Sequence, residues 1–200
     1  MIDAAILDDI HHYWFGDISP DGLAPKDKME VWFRPTAEID SHIRDTYGAF
    51  IDEAAATDWD LASLSPRRQA GLIVLLDQFP RQIYRNDCRS HAYDAKALSL
   101  AKAMVDGGLE RFYGAERTFV LLPFEHSEDI AEQDRGVMLF AAEAVKASAE
   151  RAEAARETLD YATKHRDIIR KYGRFPHRNA ILGRESSPEE IEFLKSGRGF

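Results

Sequence analysis

Three stretches of this chain gather the side chains that acid–base or anion chemistry needs: Leu76–Arg85, His126–Gln133 and His165–Arg184. A histidine can take a proton from an attacking hydroxyl. A carboxylate can orient the imidazole, and an arginine can meet the negative charge that develops. Here His126 or His165 can be the base, Asp129 or Asp77 the orienting carboxylate, and Arg178 or Arg184 the positive charge. That set suits hydrolysis or group transfer on a substrate carrying phosphate or carboxylate, with His126, Asp129 and His165 as the catalytic candidates. No nucleophile elbow, phosphate-cradling glycine loop or helical His-Glu metal pair accompanies it.

Each stretch also has a plainer reading. In QAGLIVLLDQF, apolar residues cover nearly the whole helical circumference, so the helix is buried and Asp77 lies among apolar neighbours. A lone carboxylate there is costly, and pairing with Arg81 or Arg85 is the structural solution. In LLPFEHSEDIAEQ, Ser127 reads as a helix N-cap, and Glu128 suits the positive end of the helix dipole. Gln133 falls on the arc of Ile130, Val137 and Phe140, one turn from Asp129, so this polar pair faces the core or a cleft, with His126 just before it. His165 shares the arc of Tyr161, Ile168 and Ile169, where a hydrogen-bonded core histidine is the ordinary outcome.

The segment GRFPHRNAILGR places Arg174, Arg178 and Arg184 with His177 and Asn179 in one loop of an otherwise acidic chain. Arginine forks hold carboxylate or phosphate bidentately. Arg81, Arg85, Gln133 and these five residues are therefore the candidate ligand-binding set. The same arginines can instead neutralise Asp77, Glu128 and Asp129 internally, and both readings stay open. Asp77, Ser127 and Glu128 are assigned to structure.

The formal charge of −9, from 35 acids against 26 bases, disfavours nucleic acid and anionic membrane surfaces as partners. A small anion or an acidic peptide end remains the expected partner, and the oligomeric state is open. Cys88 is the single cysteine, which excludes an internal disulfide and a cysteine zinc site and fits a reducing compartment. His12, His126, His165 and His177 lack helical ligand spacing. No metal and no cofactor are expected. The N-terminus has no basic-then-apolar leader pattern, and the longest apolar run, Leu72–Leu76, is too short to span a bilayer. A cytoplasmic location is expected.

Helical periodicity runs through almost the whole chain, which predicts a single all-α domain over residues 1–200 with about eight to nine helices. The first helix spans about Asp3 to Phe15. Pro35-Thr36 opens one that reaches about Ala56. Ser65-Pro66 starts another, expected to end at Pro80 because proline breaks the hydrogen-bond ladder. Further helices run from Ala92 to Asp106 and from Ala115 to Leu122, the latter stopping near Pro123. Ser127 caps a long helix to about Ala147, and helix continues to Tyr172, with Gly173 as the terminating glycine. Ser187-Pro188-Glu189-Glu190 is a capping box for a last helix to Lys195.

LLDQFPRQIYR, LPFEHSEDIAEQ and the run from His165 through Gly173-Arg174-Phe175-Pro176-His177-Arg178-Asn179 to Arg184 resemble the bacterial family catalogued as domain of unknown function 924. Trp14-Phe15-Gly16 and Trp32-Phe33 are similar to its opening, and the resemblance covers about Ile6 to Leu194. It implies stacked antiparallel helix hairpins of the tetratricopeptide-like type, and it brings no activity. The residues it marks include Asp77, Gln78, Arg81, Arg85, His126, Ser127, Glu128, Asp129, Gln133, His165, Arg174, His177, Arg178, Asn179 and Arg184. Three functions remain open: a module binding a small anion or acidic peptide end in an Arg/His-lined cleft, which the basic loop favours; a hydrolase or transferase with a histidine base; and a scaffold whose polar clusters are internal salt bridges.

Overall fold

The computed structural model describes residues 2–197, and these form α-helices joined by short 3-10 turns, with no strand among them. In α1 (Ala4–Phe15), the Asp3 side chain accepts the Ala5 amide and Gly16 ends the helix. Leu7, Ile10, Trp14 and Phe15 are sealed on its inner face. The short α2 (Lys28–Phe33) brings Trp32, whose indole N–H donates to the Trp14 carbonyl at 3.0 Å. Thr36 caps α3 (Ala37–Tyr47), which runs through a 3-10 turn into α4 (Ile51–Ala56).

The buried axis of the fold is α5 (Pro66–Ile73), a five-residue π turn (Val74–Gln78) and α6 (Phe79–Ile83). Leu72 through Leu76 and Phe79 have no exposed surface, as their all-round apolar pattern requires. Helices α1 and α4 pack around this axis, joined by α7 (Asp94–Asp106) and α8 (Ala115–Glu125). Gly71 lets α1 approach closely, since a Cβ there would stand 2.4 Å from the Leu7 carbonyl oxygen. Beyond α8, α9 (Ile130–Lys146) packs on α8, and α10 (Ala152–Tyr172) runs along α9. The chain ends in a loop and α11 (Pro188–Lys195), started by the capping box read from the sequence.

Several boundaries differ from the sequence expectation for physical reasons. Pro80 does not end its helix. It occupies the first turn of α6, directly after the π turn, whose wider ring is where the helix takes in the proline. Pro123 lies inside α8, which continues to Glu125. The continuation to Tyr172 is a separate helix, α10, which folds back along α9 after Ala147 turns extended at ψ 137°; α9 itself is the helix expected from Ser127 to about Ala147. Its cap is Asp129, whose carboxylate accepts the Ala131 amide at 2.8 Å, while Ser127 Oγ accepts the Asp129 amide at 3.1 Å.

Tyr172, Phe175 and Phe193 pack with Ile168 and Ile169 into a small second core that belongs to the C-terminal segment alone. Gly173, at φ +71°, makes the left-handed turn from α10 into it.

Candidate functional site

A single polar cluster forms where the π turn, the end of α8, the start of α7 and the C-terminal loop meet. The π turn supplies Asp77, which has no exposed surface. His126, just beyond α8, places Nδ1 2.8 Å from Asp77 Oδ1. Arg81, one turn after Asp77, donates to its carbonyl and lies 3.5 Å from its carboxylate. Arg81 also reaches Asp94 Oδ1 at 3.0 Å, and Gln78 donates to the second oxygen of Asp77. From the C-terminal loop, Arg178 donates to the His126 carbonyl at 3.0 Å and approaches Asp94 Oδ2 at 3.4 Å. His91 Nδ1 lies 3.4 Å from the same Asp94 oxygen.

Charge in this cluster follows from burial and neighbours. Burial alone would raise the Asp77 carboxyl, but Arg81 and His126 reverse that and hold it well below the usual carboxylate range. Burial lowers the His126 imidazole, and Arg81 adds to the effect, outweighing the pull of Asp77. His126 is therefore neutral near pH 7 beside an ionised Asp77. An ionised carboxylate only accepts, so the imidazole proton sits on Nδ1 and Nε2 carries the lone pair. Nε2 has no partner among the described residues, and the side chain keeps 15% of its surface exposed.

The sequence candidates sort into two groups. His126, Asp77, Arg81 and Arg178 come together. His165 lies nearby, its Nδ1 2.9 Å from the Tyr161 carbonyl and 3.2 Å from Glu125 Oε1, and burial drives its pKa down to about 3. His177 packs its ring against Phe175, and burial together with Arg178 lowers its pKa to about 4. Burial also brings Arg178 down to about 10, against the opposing pull of Asp94.

The rest serve elsewhere. Asp129, expected to orient His126, is an exposed helix cap, because the α8–α9 turn aims its carboxylate at the α9 amides. Gln133 is buried, but its amide N–H₂ donates to the Glu125 and Ser127 carbonyls and closes the end of α8. Arg85 pairs bidentately with Asp40 of α3, not with Asp77. Arg174 pairs bidentately with Glu190, which Asn179 and the Ser187 amide also reach. Arg184 pairs bidentately with Glu128, which in addition accepts the Phe175 amide at 2.8 Å. Arg174 and Arg184 tie the C-terminal segment to itself and to the turn that leads into α9.

Asp94, His91 and Glu125 belong to the cluster and were not singled out from the sequence. Asp94 reads as an ordinary acidic residue in the first turn of a helix. Glu125 did carry a signal, since it lies one turn after the buried Leu121 on the inward face of α8. No group of three or more His, Cys, Asp or Glu residues among those described has metal-binding geometry. A small cavity between α8, α9 and α10 is lined by Arg117, Leu121, Phe140, Glu143 and Arg151 among others, and no member of the His126 cluster borders it. The His126 side chain keeps 15% of its surface exposed. No helix among the described residues is long and apolar enough to cross a membrane.

The profile of a bacterial protein family of unknown function, DUF924, matches residues 10–198. A solved structure of a protein of unknown function from Agrobacterium tumefaciens is similar over 98% of this chain and 100% of its own, with 33% sequence identity and a TM-score of 0.76. No curated protein matches the chain.

Proposed function

We propose that this chain, which belongs to the bacterial DUF924 family of proteins of unknown function, is a hydrolytic or group-transfer enzyme with His126 as its general base. The observation that carries the reading is the 2.8 Å contact of His126 Nδ1 with the sealed, ionised Asp77, which leaves Nε2 without a partner among the described residues on a side chain 15% exposed. Asp77 fixes the tautomer and stabilises the imidazolium formed when Nε2 takes a proton from an attacking water or hydroxyl. Arg178, bonded to the His126 carbonyl, supplies positive charge beside the reacting atoms. The π turn at Asp77 fits this reading, because such turns are frequent at functional sites.

A binder of small anions or acidic peptide ends has less support than the basic loop suggested. Arg85, Arg174 and Arg184 are each held in a carboxylate fork, so a guest anion would have to displace an internal partner. The same pairs favour, as a second reading, a scaffold in which the whole cluster is structural.

The discriminating experiment combines reactivity with turnover. Diethyl pyrocarbonate modification, mapped by mass spectrometry, is expected to modify His126 in the folded protein and to spare the sealed His11. Turnover of chromogenic carboxylate and phosphate esters is expected to fall by about 10²-fold or more in His126→Gln while the variant stays folded. A His126 as inert as His11, or turnover that survives the substitution, would refute the enzyme reading.

A further inference from the structure

Between α8, α9 and α10 lies a small cavity of about 60 Å³. Its lining runs from sealed to open. Leu121 of α8 and Phe140 of α9 are buried and form an apolar floor. On the α10 side stand Ala154, Ala155 and Thr158, placed on one helical face by their spacing, and Ala154 is exposed. The cavity therefore reaches solvent along α10.

Two arginines border this space, and their surroundings differ. Arg117 is fully engaged. Its Nε donates to the Phe112 carbonyl at 2.7 Å, and Nη1 meets Glu143 Oε2 at 3.0 Å. Glu143 also faces Lys146 at 3.5 Å, so the carboxylate of the lining is already shared by two cations. Arg151 has no carboxylate partner among the described residues. Its hydrogen bond there is a long one, from Nη2 to the Gly114 carbonyl at 3.4 Å. That contact carries the half-buried side chain from the start of α10 across to the start of α8. Gly22 and Gly114 make room for it by meeting without side chains. A Cβ on Gly114 would stand 2.2 Å from the Gly22 carbonyl oxygen, and one on Gly22 would stand 3.3 Å from Arg151 Nη1.

We infer that this cavity is a binding site for a short-chain monocarboxylate, with the acid group on Arg151 and the alkyl tail over Leu121 and Phe140. The lining carries two guanidinium groups against one carboxylate, so a single negative charge completes it. A guanidinium fork matches a planar carboxylate. The apolar floor offers no donors to a sulfate or phosphate, whose oxygens need partners on every side. Size narrows the class further. A water-sized sphere takes about 10–15 Å³ on this measure, so the space admits roughly four to six non-hydrogen atoms, the range from acetate to butyrate.

The arginines read from the sequence as anion ligands behave differently. Arg85, Arg174 and Arg184 already hold carboxylates of the chain, and a guest would have to displace them. At Arg151 a guest anion displaces no internal carboxylate. The site shares no side chain with the His126 cluster and does not rest on the enzyme reading.

The test is a thermal-shift titration of the whole protein with sodium propionate, against sodium chloride and sodium sulfate at matched ionic strength. A guest of about five non-hydrogen atoms is expected to bind with a Kd near ~1 mM. At ~50 mM, propionate is then expected to raise Tm by about 4–8 °C, well beyond either control salt. Equal shifts with all three salts would report screening alone and overturn the inference.

Arg151→Gln removes the charge from a half-buried side chain and leaves the floor in place. It is expected to lose at least about tenfold in propionate affinity, and Arg151→Lys, which keeps the charge without the fork, less. Unchanged affinity in Arg151→Gln would overturn the assignment to Arg151. Methyl NMR of the wild-type protein locates the guest without any variant. The Ala154, Ala155 and Thr158 signals are expected to move saturably with propionate, and those of Ala97 and Ala101 in α7 to stay. Movement at α7 instead, or none at the α10 methyls, would refute the site. His126→Gln is expected to bind propionate as the wild type does, so loss of turnover and loss of binding are separate results.

Discussion

Among the described residues, the two closest imidazole–carboxylate pairs are His11–Glu116 and His126–Asp77, and their surroundings separate them. His11 of α1 and Glu116 of α8 meet at 2.6 Å, with side chains 3% and 9% exposed. The Tyr113 amide takes the other oxygen of Glu116, and the ring of His11 packs against Phe15. His11 Nδ1 is buried without a partner among the described residues. Both ends of this pair are closed, and it ties one helix to another. His126 and Asp77 have nearly the same contact, at 2.8 Å, but two arginines and a second aspartate stand around them, and the His126 side chain keeps 15% of its surface exposed. The same two functional groups make a clasp in one place and, on the reading proposed above, a base in the other. What differs is access to the second ring nitrogen and the charge beside the carboxylate.

The largest expected effect concerns Asp77. Asp77→Ala leaves Arg81 with one partner fewer and His126 without its acceptor, inside a sealed site. A loss of about 3–5 kcal/mol in urea unfolding is expected. A loss below about 1 kcal/mol would mean that the cluster is wetter than the structure has it.

Glu116→Gln keeps an acceptor for the Tyr113 amide and removes the charge facing His11. A loss of about 1–3 kcal/mol is expected, with His126-dependent turnover unchanged. Altered turnover would erase the contrast between the two pairs.

The pH profile sharpens it further. The His126 imidazole lies below 6.5, through burial first and Arg81 second, so the active neutral form accumulates as pH rises. Rates are expected to climb through the mildly acidic range and be level by pH 7. A rising limb centred above pH 7 would contradict the neutral imidazole.

The smallest effect is at the rim. Arg85→Ala removes a fork to Asp40 from a side chain 48% exposed, and at most about 1 kcal/mol is expected, declining with added salt.

Much of this was readable from residue order. The all-round apolar pattern of Leu72–Leu76 required a buried helix, and Asp77 within it required a partner. The cap at Ser65, the glycine at 173 and the box at Ser187 are local events, settled by side chains within a few residues of the amides they serve. What helical periodicity misplaced was direction. Asp129 lies three residues from His126 in sequence, yet Asp77, from a different helix, is the one on its ring. The same holds for Arg85, which was expected near Asp77 and reaches Asp40 instead.

The sequence by itself determined the helices, most of their ends, and the need of each buried charge for compensation, because periodicity, capping and desolvation act over short range. Only the tertiary structure decided which charge met which. The π turn re-aims the residues after it, the reversal at Ala147 brings His165 beside Glu125, and the C-terminal loop lays Arg178 on His126. Glu125 was left without a cation by the same packing. A carboxyl's charge state depends on what surrounds it in space, and chain order does not carry that.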